Sequence, residues 1–357
     1  MKSIYIIFII FITFSCDKKW DTVITKSNGL VLDSFTVNQL ASSIEIKNFK
    51  LYNSKLLSLT PENNSIRIYK LNGDKNYVLE KNISLSNTYL PHSFFRYKDC
   101  WYVIDFDGNL IKYDSNWSFI KKTKLYFNLN VLKDNNIVAV YNNLPVEVFN
   151  DTIVAHIYHK DYSGQADYFF EKPYIKFKIE NDSVRLLEQF GEKPSSTKNY
   201  YLSYAYHCFK KHSIYTIYPC FDTIYKSDIT NTATKKFAIN NPAYSLPKTF
   251  LEDSLMNNEY VTKYLNNNFL YTESIVYNPK TDHFAVFYYT NSQPNTQKEQ
   301  LNAVILDKDF KKVCLVNFDQ KYYDPQSSFY VPNKGIALGV MKNAFDFETT
   351  KFHIFNF

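Results

Sequence analysis

Apolar and polar residues alternate with period two along most of the chain, the pattern of strands packed on one or both faces. The clearest instance is WYVIDFDGNLIKYD, residues 101–114. Asp107-Gly108 is a two-residue hairpin signal, because both central positions of such a turn need positive φ. A turn there sets Phe106 opposite Asn109, Ile104 opposite Ile111 and Tyr102 opposite Tyr113. One face then carries Tyr102, Ile104, Phe106, Ile111 and Tyr113. The other carries Trp101, Val103, Asp105, Leu110 and Lys112. A slip of one residue would exchange these faces. A second hairpin is predicted around Lys210-Lys211-His212-Ser213, which puts Cys208 opposite about residue 214.

Short strands of the same kind recur at SIRIYKL (65–71), PYIKFKIE (173–180), DTIYKSD (222–228), LNAVILDKD (301–309) and KFHIFNF (351–357). With Tyr69, Tyr113, Phe177, Tyr225, Ile305 and Phe355 as markers, the gaps are 44, 64, 48, 80 and 50 residues. Three of these lie near the period of a propeller blade. The 64-residue gap holds an additional strand pair around VEVFNDTIVAHIYH. The 80-residue gap holds a helical stretch at 248–268, where Phe250, Leu251, Leu255, Val261 and Leu265 share an apolar face. Sheets of three or four strands cannot bury both faces alone, and radial stacking solves that. The expectation is an all-β chain, a β-propeller of six blades, with a short helical insertion near 248–268. Closure would bring the segment 23–35 beside the last strand. Two β-sandwich domains and a β-solenoid are the alternatives. With only seven Gly in the chain, no Gly-rich linker divides it.

The first residues read differently. Met1-Lys2-Ser3 is short and positive, and Ile4 to Phe14 has one polar residue, Thr13. Eleven helical residues rise about 16 Å, too little for a spanning anchor. A charged start, a short apolar core and a small residue before the cut describe a secretory signal peptide. Cys16 directly after Ser15 gives it the lipoprotein form, in which Cys16 becomes the acylated first residue of the mature chain. Ordinary cleavage near Ser15, leaving a free thiol, is the alternative. The predicted organisation is a lipoprotein signal peptide at 1–15, a tether at 16–22 and one propeller domain at 23–357. The tether, Asp17-Lys18-Lys19, has one acid and two lysines rather than an acidic run. That favours an outer-membrane protein facing the periplasm.

Composition narrows the chemistry. Aromatics make up 18%, with 31 Tyr and 30 Phe, but Lys, Asn and Ile are abundant too, so AT-rich codons account for much of the excess. The net charge of +6 is dispersed, and Arg occurs only at Arg67, Arg96 and Arg185. Arg is the residue best suited to bidentate phosphate or base contacts, so nucleic acid is not an expected partner. Cys100, Cys208, Cys220 and Cys314 could pair in an oxidising compartment, or remain buried thiols.

The order of segments is also familiar. The signal with Cys16, WDTVITKSNGLVL, IYKL, TESIVYNPKTDHFAVFYY, LNAVILDKDFKKV, SFYVPNKGIALGV and KFHIFNF together resemble a domain-of-unknown-function family of bacterial lipoproteins. The resemblance covers most of the mature chain. It implies a six-bladed propeller and an envelope location, and it carries no activity and no functional residues.

Catalytic motifs are scarce. There is no Gly-rich phosphate loop, no G-x-S-x-G elbow and no paired-cysteine zinc motif. His156 and His159 are three apart in an expected strand and so point to opposite faces, which suits one ion poorly. Asp105, Asp107 and Asp114 cluster in sequence, with Asp107 explained by its turn and Asp114 by a strand end. His92 and Arg96, in YLPHSFFRYKD, are the candidate ligand-binding residues, on a mixed polar loop that could line a funnel. The reading leans away from an enzyme. No catalytic residue, cofactor or metal is assigned, and Cys16 is the lipid-attachment site. The predicted function is a membrane-tethered binding or scaffolding propeller that meets an envelope protein or glycan. A propeller hydrolase or lyase acting on a glycan or lactone is the alternative.

Overall fold

In the computed structural model, the residues described are 31–38, 49–125, 138–140, 146–159, 169–180, 183–194, 205–219, 221–239, 271–291, 299–318, 323–340 and 349–357. Residues 1–30 lie outside this set, and with them Cys16, its signal segment and most of the predicted N-terminal strand region. So do Cys220 and the helix expected over 248–268.

The strands run in chain order as follows. β1 (Asp33–Asn38) comes first. Then come β2 (Lys50–Tyr52), β3 (Lys55–Thr60), β4 (Ser65–Asn72) and β5 (Asn76–Ser84). They are followed by β6 (Pro91–Tyr97), β7 (Cys100–Asp105), β8 (Asn109–Tyr113) and β9 (Phe119–Lys124). Next are β10 (Val138–Val140), β11 (Glu147–Phe149), β12 (Thr152–His159), β13 (Phe169–Glu180) and β14 (Ser183–Phe190), then β15 (Tyr206–Lys210), β16 (Ser213–Ile217), β17 (Thr223–Asp228) and β18 (Thr234–Ala238). The last are β19 (Tyr271–Asn278), β20 (His283–Asn291), β21 (Glu299–Leu306) and β22 (Lys312–Asn317), then β23 (Tyr323–Val331), β24 (Gly335–Val340) and β25 (Thr349–Phe355).

These strands form three four-stranded meanders, one five-stranded sheet and one eight-stranded sheet in the order β2-β3-β4-β5-β1-β25-β24-β23. The eight-stranded sheet divides naturally at β1. That strand pairs with β25 in antiparallel register over six positions, Asp33↔Ile354 to Asn38↔Thr349. It touches β5 only through a short parallel pairing at Thr36↔Asn76 and Val37↔Tyr77. Divided there, it gives two four-stranded units, β2–β5 and β23–β25 with β1, the latter joining strands from both ends of the chain. The closing strand, Asp33–Asn38, overlaps the expected closing segment 23–35 at residues 33–35.

The units stack face to face, with an apolar cluster between each consecutive pair. Leu57, Leu59 and Ile66 meet Phe94, Trp101 and Tyr113 between the first and second units. Phe95 and Tyr102 meet Ile153 and Phe177 between the second and third. Val154 and Tyr174 meet Ile214 between the third and fourth. Tyr215 meets Phe284 between the fourth and fifth, and Phe287 meets Phe355 between the fifth and sixth. The circuit returns through Phe35, Val37 and Phe352, which pack on Leu56 and Tyr69 of the first unit. Sheets buried on both faces and stacked in a closed circuit are a β-propeller. Burying both faces also explains why strands such as Lys55–Thr60, Cys100–Asp105 and Ser213–Ile217 are buried almost without alternation.

The six markers Tyr69, Tyr113, Phe177, Tyr225, Ile305 and Phe355 lie on β4, β8, β13, β17, β21 and β25. Each of these is the third strand of its unit. In the segment 146–159, β12 is a regular member of the third sheet, and β11 is an additional short strand that pairs with β12 beside β10, off the main path of the sheet.

The hairpin at 101–114 departs from expectation by one residue. The observed pairs are Trp101↔Tyr113, Tyr102↔Lys112, Val103↔Ile111 and Ile104↔Leu110. The cause is a three-residue loop, Phe106-Asp107-Gly108, in place of a two-residue one. Gly108 N–H donates to the Asp105 carbonyl at 3.0 Å, and of the loop residues Gly108 alone has positive φ, at 69°. This is the type I turn plus left-handed glycine that closes three-residue hairpins. Asp105 locks it, accepting from the Asn109 backbone at 2.8 Å and from its Nδ2 at 2.9 Å. One face then carries Tyr102, Ile104 and Leu110, and the other Trp101, Val103, Ile111 and Tyr113. The second hairpin turns at Lys211-His212 as expected, with Cys208 opposite Tyr215.

Candidate functional site

Two hairpin turns bring the best-defined polar cluster together. Asn53 and Ser54, both at positive φ, turn β2 into β3 directly after Tyr52. Lys98, at φ 53°, turns β6 into β7 directly after Tyr97. Tyr52 and Arg96 therefore sit at the same end of neighbouring units. Arg96 is paired across the β6–β7 ladder with Trp101.

The guanidinium of Arg96 lies 4.8 Å from the Tyr52 ring centroid and 5.7 Å from that of Trp101. Its Nη1 donates to the Tyr52 hydroxyl. Tyr52 meets Trp101 edge-on at 5.3 Å, and Trp101 stacks on Trp117 at 4.6 Å. About a quarter of the Arg96 side chain is exposed, and its nearest carboxylate is the fully exposed Asp99 at 3.7 Å. One residue pair further in, the Lys50 ammonium lies 5.5 Å from the Phe94 ring and donates to the Val146 carbonyl at 3.0 Å. Enclosure lowers the Lys50 pKa, with a partial opposing pull from Glu147. The cluster can hold an anion or a polar ring against an aromatic platform.

The other predicted residues lie elsewhere. His92 and Arg96 are not on a loop; both belong to β6, at opposite ends, about 13 Å apart along the strand. His92 is buried at the bulge between Pro91 and Ser93, edge-on to Phe106 at 5.3 Å. Phe106 in turn meets the exposed Tyr89. Asp105 is buried with Asn109 and has Lys122 at 3.6 Å. Asp114 caps a turn by accepting from the Asn116 and Ser118 backbone N–H groups, both at 2.8 Å. The Asp107 carbonyl accepts from Lys124. These three acids serve turns and do not converge.

His156 is buried between the third and fourth units. Its ring lies 6.2 Å from that of His207, and Tyr174 stands edge-on to both at 5.3 and 5.4 Å. Tyr174 shares a 2.6 Å hydrogen bond with Thr216. Burial, reinforced by His207, holds His156 well below the ordinary histidine pKa. The side chain of His159 lies outside the described residues. No group of three or more His, Cys, Asp or Glu among the described residues is placed to hold a metal. Cys100, Cys208 and Cys314 are free thiols, and burial pushes the Cys208 and Cys314 pKa values up. Among the described residues no helix is long and apolar enough to cross a membrane.

Sequence reasoning found Arg96 but missed Tyr52 and Lys50, which are 44 and 46 residues away. It also missed a local signal. DSNWS at 114–118 and DKDFK at 307–311 are the same turn. In each the first Asp accepts two backbone N–H groups and the fourth residue, Trp117 or Phe310, adopts positive φ near 65°. That aromatic then drops into the interface between units.

Comparison with known proteins fits this architecture. The fold matches a member of the DUF4221 family from Bacteroides vulgatus with a TM-score of 0.64 and 13% identity, covering 92% of this chain and 97% of that one. A putative exported protein from Bacteroides fragilis overlays with a TM-score of 0.57 and 10% identity, covering 94% and 98%. No family model and no curated protein matches the sequence. At these identities the likeness is one of fold. The propeller expected from the strand pattern, and the resemblance to an unknown-function family, both stand.

Proposed function

We propose that this protein is a lipid-anchored envelope propeller of six blades that binds a ligand without turning it over. The Arg96–Tyr52–Trp101–Trp117 cluster is its contact surface. One observation carries the reading: an arginine guanidinium is lodged against two aromatic rings, 4.8 Å from the Tyr52 centroid and 5.7 Å from that of Trp101, with a quarter of its side chain left in solvent. The two rings and the bond to the Tyr52 hydroxyl hold the guanidinium in place and leave donors unspent, an arrangement suited to recognition. The anchor is Cys16, the domain faces the periplasm from the outer membrane, and the partner is an envelope protein or glycan. The exported character named for the Bacteroides fragilis neighbour is consistent with that location.

The test is capture from solubilised membranes with full-length protein. A partner or glycan retained by wild type and lost from Arg96→Gln, with an unchanged melting curve, supports the assignment. Equal capture by both would move the contact surface elsewhere. Turnover of glycosides, lactones or esters that is abolished by Asp105→Asn with the fold intact would make the protein an enzyme instead.

A further inference from the structure

Among the described residues, Lys50 differs from three other lysines that are mostly withdrawn from solvent. Lys176 has Glu188 at 3.0 Å, Lys193 has Glu171 at 3.6 Å and Lys210 has Asp282 at 2.5 Å. Among the described residues no carboxylate lies within ion-pair distance of Lys50. Its contacts are the Val146 carbonyl and the Phe94 ring. An enclosed ammonium with only a neutral acceptor is costly, and the ordinary solutions are neutralisation or an anionic partner.

The second cation lies on the same side of the same boundary. Lys50 and Tyr52 are two apart on β2, and Phe94 and Arg96 are two apart on β6, so each pair shares a face. The pairs brace each other reciprocally: Lys50 rests on Phe94, and Arg96 rests on Tyr52. Two residues of strand separate the cations by roughly 7 Å along the chain direction. Among the described residues Arg96 has one carboxylate within ion-pair distance, the wholly exposed Asp99 at 3.7 Å, a pair of little strength. Glu147, next to Val146, acts on Lys50 only at a distance, so positive charge is only partly balanced where the first strands of the first two units meet, beside a half-buried tyrosine ring.

We propose that Lys50 and Arg96 together receive the carboxylate of an acidic sugar, a hexuronate residue of a glycan, whose ring lies over Tyr52. The planar guanidinium fork matches a carboxylate with two parallel hydrogen bonds, which an ammonium cannot do. Lys50 supplies a second, less directional charge deeper in the site. The aromatic platform accepts the apolar face of a pyranose ring, which a small inorganic anion would leave unused. This inference rests on the ligand-binding reading above and narrows it to one ligand class.

Full-length protein in detergent is titrated with oligogalacturonate, with its methyl ester and with a glutamate-rich peptide. Tryptophan fluorescence reports through Trp101 and calorimetry confirms. The expected result is saturable binding of the oligouronate, weakened at least tenfold by esterification. Arg96→Lys, which keeps the charge but not the fork, weakens it about tenfold, and Lys50→Met weakens it and flattens its salt dependence. Lys50→Met also serves where an Arg96 variant melts early, since it fits an enclosed position. Equal binding of acid and ester, indifference to both substitutions, or binding of the peptide alone would overturn the proposal. If no uronate binds while membrane capture still depends on Arg96, the acidic-sugar inference falls and the binding-module reading stands.

Discussion

Lys334 donates to Asp33 at 2.9 Å, joining the turn before β24 to the start of β1 across 301 residues of chain. Lys75, in the turn before β5, approaches the other Asp33 oxygen at 3.0 Å. One carboxylate thus clasps the last unit to the first at the seam of the propeller. The two lysine contacts, Lys334 first, hold Asp33 down at about 2. Its folded pKa is depressed, so the contribution is complete above the unfolded value near 3.9. It is lost as pH falls through about 2. Both lysines are substantially exposed, so screening limits the clasp to about 1 kcal/mol. Asp33→Asn should lower the unfolding free energy from urea titration by that amount at neutral pH and low salt, with a smaller difference at 1 M salt. An equal loss at both salt concentrations would show that the charge is not the cause.

Acid should weaken the fold earlier, through His156. Burial, and then His207, depress its pKa in the folded state. Below about 6.5 the unfolded chain takes up a proton that the folded chain refuses. Stability is then complete above 6.5 and falls as pH drops below it, by up to about 1.4 kcal/mol per pH unit. His156→Phe should flatten the dependence of the urea midpoint between pH 7 and 5. An unchanged slope in the variant would assign the acid sensitivity elsewhere.

Gly108→Val should destabilise the protein by roughly 1–3 kcal/mol, because a β-branched residue resists the positive φ that closes the three-residue loop. Gly108→Asn should cost less, since Asn tolerates that conformation. Thermal melts of the two variants give the order directly, and a Val variant as stable as Asn contradicts the turn.

Trp117 fills the interface between the first two units and holds positive φ at 68°. Removing the ring should cost about 3–5 kcal/mol. The backbone makes a sharper prediction: Trp117→Gly should be more stable than Trp117→Ala by up to about 1 kcal/mol, the reverse of the usual order. Chemical denaturation of both variants decides it.

The proposed anchor is tested in cells. Wild type should incorporate an alkyne fatty acid, and Cys16→Ser should not. The variant should also accumulate as unprocessed precursor. Unlabelled wild type removes the anchor from the proposal.

Period-two alternation was enough to find the propeller, because every unit repeats one apolar third strand. Register was harder. Asp107-Gly108 is compatible with a two- or a three-residue loop, and the choice was made by Asp105 bonding to Asn109, a side-chain effect that hydrophobic pattern does not encode. Since both faces of β7 are buried, the pattern could not penalise the slip either. The repeated Asp turns at 114 and 307 were legible in the letters, but only to a search for capping residues rather than for strands. Arg96 was visible as a scarce residue type. Its partners Tyr52 and Lys50 became neighbours only when the first and second units stacked, a relation that no local reading contains.

The seam at β1 also sets an order of events in synthesis. β1, the first of the described strands, has no antiparallel partner until β25 has been made, so apart from its short parallel contact with β5 its ladder cannot form as it emerges. The preceding sheets are local meanders that can pair as they are completed, whereas the seam is the most non-local contact in the molecule and pays its loop-closure entropy last. A chain arrested before β25 would hold finished meanders with Phe35, Val37 and Tyr69 uncovered. It would stay open to proteases and to export machinery until the final strand arrived.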